Sequence, residues 1–292
     1  MEKNRGDDSR SKGGIKMIVS DSSSSSFDSL PEDCISKIIS FTSSRDACVV
    51  ASVSKTFKSA GNSDIVWEKF LPPEYPSLIP PYRVFSSKKK LYFSLCDDPV
   101  LIDDGKKSFW LEKSSGKKCI MLSAMSLSII WGDTPHYWKW IPSPESMFET
   151  VAELIDVCWF EIRGRTNIRV LSPRTRYSGY IVFKQVDEFY GFEDVAIEAA
   201  IGVVGQEPCR RFICFDEDMN GQFIRRDGGR MNTVKPKGRD DGWMEIELGE
   251  FFNEEGLMNS DEIEMSALET KQLNWKSGLI IQGIEIRPAI IR

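Results

Sequence analysis

Two stretches of this chain hold residues whose types and spacing could do chemistry on a ligand. The first is Trp131-Gly132-Asp133-Thr134-Pro135-His136-Tyr137-Trp138-Lys139-Trp140, four large aromatic rings gathered around a glycine and a proline. Rings displayed on turns can stack on the apolar C–H face of a sugar, while nearby carboxylates and amides orient its hydroxyls. The same rings could equally cover one end of a hydrophobic core, and residue types alone leave both readings open. The second stretch is DGWMEIELGEFF, where Glu245, Glu247 and Glu250 offer carboxylates for proton transfer. An exposed strand face accounts for Glu245 and Glu247 equally well.

Nucleophilic catalysis lacks its parts. His136 is the one histidine, so no Ser-His-Asp or Cys-His arrangement can be built without it, and its turn setting reads as a surface loop. Cys209 and Cys214 are the closest cysteine pair, but nothing nearby completes a four-ligand zinc set. Gly202, Gly205, Gly228 and Gly229 lack both the Lys-Ser/Thr pair and the strand-to-helix setting of a phosphate-binding loop. The expectation is a protein that is no enzyme and uses no metal and no cofactor.

The elements that must position these residues follow from composition and period. Hydrophobic content of 41 % and charged content of 28 % are those of an ordinary globular chain of one large or two modest domains. A net charge of −6 argues against nonspecific nucleic-acid binding. No apolar run approaches bilayer length, and the opening MEKNRGDDSRSKGG lacks the apolar segment of a secretory signal. With no export signal, the seven cysteines read as reduced and mostly buried. These features predict a protein of the cytoplasm and/or nucleus with no membrane partner.

Along the chain, residues 1–26 are charged and then Ser-rich, which predicts a disordered arm. Residues 27–71 are helix-patterned. Ser29 and Glu32 have capping-box spacing with Pro31 in the first turn, and Ile35, Ile38 and Ile39 form one apolar stripe. Ser43-Ser44 interrupts, a second helix opens at Asp46 and continues through Phe57, Gly61-Asn62 stops it, and Asp64 to Phe70 forms a last turn. Three short helices bury little surface, so some of these side chains should face a partner. Residues 72–116 start with a proline cluster and read as a linker and connecting segment, in which Lys88-Lys89-Lys90 is a solvated run and Leu91, Phe93 and Leu95 pack back on the head.

From Lys117 the period changes to short strands, the longest at 152–164 and the cleanest at 243–252, where Met244, Ile246 and Leu248 alternate with Glu245 and Glu247. The fold class is therefore α+β and multidomain: a small all-helical head followed by an antiparallel β-sandwich, jelly-roll-like, over 117–292.

The head's residues carry a resemblance. Leu30-Pro31, the Ile38-Ile39 pair, Val53-Ser54-Lys55 with Phe57, and Trp67 resemble an F-box, the motif that docks substrate receptors on the Skp-type adaptor of cullin-RING ubiquitin ligases. The resemblance implies that Leu30, Pro31, Ile35, Ile38, Ile39, Val50, Phe57 and Trp67 dock or support the adaptor surface. CIMLSAMSLSIIWGDTPHYWKW, VAELIDVCWFEIRG, YIVFK, DGWMEIELGEFF and WKSGLIIQGIEIRP resemble the plant phloem-lectin domain typified by Nictaba. That likeness implies a β-sandwich lectin fold binding N-acetylglucosamine oligomers or the N-glycan core, with Trp131, Trp138, Glu245 and Glu250 at the sugar. Residues 206–241 have no clear counterpart. The combination resembles the plant F-box phloem-protein-two-like B group. It implies a receptor that brings a client, such as a glycoprotein, to an SCF-type ligase. The alternative is a lectin without a ligase role.

Overall fold

The computed structural model describes residues 30–80, 83–193, 195–217, 222–224, 230–254 and 261–290. The arm at 1–26 and the capping residue Ser29 lie outside the described residues. Serines set the boundaries of the head. Helix α1 (Glu32–Ile39) starts directly after Pro31, which is its N-cap and offers no side-chain hydrogen bond. Helices α2 (Ser44–Val50), α3 (Lys55–Asn62) and α4 (Asp64–Phe70) each follow a serine. Ser43, Ser54 and Ser63 accept the backbone N–H of Asp46, Phe57 and Ile65 at 3.1, 3.2 and 3.3 Å. Each satisfies one of the donors that a helix start leaves orphaned. Ser43 therefore begins a helix instead of breaking one, and Ser54 opens a separate helix. Gly61 sits inside α3: a Cβ there would meet Ala47 O and Ala51 Cβ, both at 3.2 Å, so its hydrogen lets α2 and α3 close together.

Ile35, Ile39, Ala47, Ala60, Val66 and Trp67 form the centre of the head's core. The Trp67 indole N–H donates to Gly61 O at 2.8 Å, so its burial leaves no orphan donor. Its ring meets Phe70, Tyr92 and Phe93 at centroid distances of 5.6, 5.2 and 5.3 Å.

The stretch 72–116 holds more regular structure than a linker would. It contains α5 (Tyr75–Leu78), α6 (Lys88–Asp97), β1 (Val100–Ile102) and β2 (Lys107–Leu111). Leu91, Tyr92 and Leu95 of α6 are buried in the head's core, with Phe93 packed beside them. The lysine run clamps this helix in place. The Lys88 N–H donates to Asp64 Oδ1 at 2.7 Å, its ammonium pairs with Glu68 at 3.1 Å, and Lys89 Nζ donates to Asn62 Oδ1 at 2.7 Å. Proline-rich sequence ends before the helix starts, which is why the proline cluster and a helix coexist here. Strand β2 completes the link: Phe109 and Leu111 are buried in the head's core while their backbone pairs with β3 (Lys118–Ser123) of the sandwich.

Two antiparallel sheets face each other across the main core. The nine-stranded sheet runs β1-β2-β3-β16 (Ser277–Pro288)-β8 (Thr175–Tyr190)-β14 (Met244–Asn253)-β13 (Lys237–Gly238). Strand β6 (Thr150–Leu154) also pairs with β16, and β5 (Trp138–Pro142) pairs with β6. The five-stranded sheet runs β10 (Cys209–Ile213)-β9 (Ile197–Val203)-β15 (Glu262–Glu269)-β7 (Phe160–Asn167)-β4 (Ser128–Ile129). A ribbon of β11 (Gln222–Ile224) and β12 (Arg230–Asn232) stands apart from both. Phe183, Ile246, Ile281 and Ile284 of the larger sheet and Ile162, Ile197, Ile201 and Met265 of the smaller belong to one buried cluster.

The alternation in β14 is as the sequence predicts, with Ile246 and Leu248 buried and Glu245 and Glu247 on the other face until Gly249, at φ 153°, shifts the register. The apolar stretch 152–164 is not one strand. Its chain leaves the larger sheet after β6, is held by a Val157–Lys276 bridge, and enters the smaller sheet as β7. Residues 127–131 keep only a two-residue strand, because Trp131 takes φ 53°. Among the cysteines, Cys34 and Cys48 are exposed, against the expected burial, while Cys119 and Cys214 are buried; all seven are free thiols.

Candidate functional site

The residues proposed for adaptor docking divide by location. Leu30, Pro31 and Ile38 lie at the surface, whereas Ile35, Ile39 and Trp67 are core residues and Val50 and Phe57 pack half-buried against that core. The stripe Ile35-Ile38-Ile39 is therefore split: Ile38, 48 % exposed, points away from its neighbours. Other apolar side chains share the outside: Phe41 is 77 % exposed, Val49 59 % and Val53 69 %. Cys34 and Ile38, four apart on α1, share a helical face away from the buried one, while Phe41 and Val53 stand in the turns that follow α1 and α2. Sequence reasoning passed over Phe41 and Val49. Their signal was an apolar residue out of phase with the core stripe.

The aromatic loop connects β4 to β5 and is built by hydrogen bonds to its own backbone. Gly132 N–H donates to Ile129 O at 3.0 Å and Thr134 N–H to Trp131 O at 2.9 Å, closing successive turns. Two indoles brace the loop from below: Trp138 Nε1–H donates to Ile130 O at 3.1 Å and Trp140 Nε1–H to Gly132 O at 2.8 Å. Trp131 is held between those carbonyls in the left-handed region, where a bulky residue costs about 1–2 kcal/mol. Its ring lies against Tyr137, centroids 5.0 Å apart and tilted 34°. Trp138 is 1 % exposed and belongs to the inter-sheet core, so it has no ring face to offer a sugar and supports the loop instead. Trp140, at 37 %, and His136 are exposed beside it.

The two glutamates do not join this loop. Met244, Phe183, Ile281, Ala152 and Trp140 stand in one cross-strand row, so β14 and β5 are four strand spacings apart, roughly 19 Å. Glu245 also faces the outside of the sheet, where Arg287 grips its two oxygens at 2.8 and 2.5 Å and Arg239 adds a bond at 2.8 Å. Both arginines reach on to the buried Glu285, at 2.6 and 2.9 Å. Burial works to raise the Glu245 pKa, but the two guanidiniums outweigh it and hold the carboxyl below its usual range. An ionised carboxylate so engaged is a structural anchor and a poor proton donor. Glu250 is half-buried beyond the bulge and meets Arg176 at 3.6 Å. The four residues assigned together to a sugar thus separate into a tryptophan loop and an outer-face glutamate pair.

A helical head with an exposed apolar face, fused to an antiparallel sandwich that carries an aromatic loop, defines a two-part protein of the F-box type. The F-box domain family matches residues 27–69, and the phloem protein 2 family matches residues 117–288. The chain belongs to the phloem protein 2 family, in the branch that carries an F-box ahead of that domain. It is similar to F-box protein PP2-B10 of Arabidopsis thaliana, 76 % identical over 92 % of this chain and 97 % of that protein. It is also similar to the putative F-box protein PP2-B8 of the same plant, at 64 % over 97 % and 95 %, and to its F-box protein SKIP3, at 59 % over 100 % and 95 %. Among solved structures it resembles a Podospora anserina GH26-CBM35 mannanase at 7 % identity and a TM-score of 0.31, over 60 % of this chain and 28 % of that one.

Proposed function

We propose that this chain is the substrate-recognition subunit of an SCF-type ubiquitin ligase, its head docking on a Skp-type adaptor and its sandwich holding a client. The observation that carries the reading is the F-box match over 27–69, on a head whose outer face keeps Ile38, Phe41, Val49 and Val53 exposed. Exposed apolar side chains gathered into a contiguous patch mark protein–protein contact surfaces. The receptor itself performs no bond chemistry in this scheme. It raises the effective concentration of the client's lysine near a thioester that another subunit carries. The test is retention of purified Skp-type adaptor on the immobilised chain. Wild type should bind, and Ile38→Asp with Phe41→Asp should weaken binding by about a hundredfold. Both side chains are exposed, so the thermal midpoint should stay put. Wild-type protein that fails to retain the adaptor sinks the proposal.

For the client, the strained Trp131 favours sugar recognition by the loop at 131–140. Backbone strain of this sort clusters at ligand clamps and active sites, which supports the reading. The expected ligand is the N-acetylglucosamine or N-glycan core that the family likeness implies. On a glycan array, wild type should be retained and Trp131→Ala should not, with the fold intact by circular dichroism. An array on which the two behave alike leaves the sandwich to protein clients.

A further inference from the structure

We infer that the cleft between head and sandwich is a binding site for a small polyphosphorylated anion. The cleft has a volume of about 560 Å³, within the roughly 300–1,000 Å³ of small-molecule sites. One wall comes from the head, with Lys69 at the end of α4. The other comes from the sandwich side, with Lys117, Lys118 and Arg169. Glu74 is the single carboxylate among the lining residues, so four cations face one anion in a chain whose net charge is −6. That local inversion of sign is what a concave site for an anion requires, since a low-dielectric cleft focuses the field of its lining charges.

Two of the four cations are already engaged. Lys118 pairs with Glu74, and Arg169 with Asp261, which lies outside the cleft, at 2.6 Å. Lys69 and Lys117 have no ion-pair partner among the described residues. Ser44 and Ser115 line the same space, their hydroxyl oxygens accepting from Tyr92 Oη at 2.9 Å and from the Lys117 N–H at 3.2 Å. Gly116 keeps the floor open: at φ +67° it turns where a Cβ would come within 2.9 Å of Tyr92 Oη. Separate ammonium groups on opposite walls act as point charges, and they suit a ligand with several phosphoryl groups better than one planar carboxylate. Neither wall makes the site alone, so a bound polyanion would tie head and sandwich together.

The test is calorimetric titration and thermal melting of the full chain with inorganic tripolyphosphate, orthophosphate and a phosphoserine peptide. Tripolyphosphate should bind, raise the melting temperature, and bind more tightly than the other two. Lys69→Gln with Lys117→Gln should weaken it by about tenfold or more while leaving the ligand-free melting temperature unchanged, because neither ammonium has an ion-pair partner among the described residues. Lys69→Arg with Lys117→Arg should restore binding. Equal affinity for orthophosphate and tripolyphosphate, tighter binding of the phosphopeptide, or indifference to the Gln pair would each overturn the inference. None of these measurements depends on adaptor docking.

Discussion

Lys276 has no exposed side-chain surface, and its ammonium meets Glu269, 3 % exposed, at 2.6 Å. The remaining ammonium donors reach Asn274 O at 2.7 Å and Cys158 O at 3.2 Å, so a single side chain ties the 270–276 turn to the crossover into β7. Glu269 accepts in turn from the backbone N–H of Gln272 and Lys271, at 2.7 and 2.8 Å. Burial alone would raise the carboxyl's pKa, but these donors and the ammonium outweigh it and set the folded value below the ordinary 4.5. A depressed carboxylate stabilises fully above its unfolded pKa, and that contribution is lost as pH falls through the folded one. Acid melts should therefore show stability dropping below about pH 4.5. Glu269→Gln should flatten that drop and cost about 3–5 kcal/mol at neutral pH, since it strands a buried charge. A variant with the wild-type acid profile would remove Glu269 from the account. Nothing in the local sequence NWKSG marks this lysine as buried, because its burial comes from a crossover between sheets that sequence does not display.

At the scale of elements, legibility followed periodicity. Strand β14 was readable because it is half buried, and Ile246 and Leu248 alternate with Glu245 and Glu247 as a one-sided strand must. The heads of α2, α3 and α4 were harder, because Ser43, Ser54 and Ser63 look like interruptions until their hydroxyls are seen to accept helix N–H groups. The stretch 152–164 read as a single strand since apolar residues serve equally on either side of a sandwich. Only the pairing of Val157 with Lys276 reveals the switch between sheets. The candidate sites divide in the same way. The aromatic loop at 131–140 could be picked out by composition. That Trp138 serves the core while Trp131 is strained could not, because both are tryptophans within one turn-rich run and only backbone geometry separates them. The apolar outer face of the head was half visible, through Leu30 and Ile38.

For the molecule as a whole, the decisive feature is β2. Phe109 and Leu111 lie in the head's core, yet Phe109 pairs with Ile120 and Leu111 with Lys118 in the larger sheet. Domains joined by a loose peptide move independently and melt separately; those sharing a hydrophobic interface do not. Scanning calorimetry of the full chain should accordingly show one transition, and two resolved transitions would contradict the coupling. The joint also has a geometric meaning for the proposed receptor. With a strand in place of a hinge, the distance from the proposed docking face to the aromatic loop would work as a fixed gauge. A client lysine at the matching radius would be presented for modification, while others on the same surface would be passed over. Selection among lysines would then be made by the length of the arm, after the loop has chosen the client.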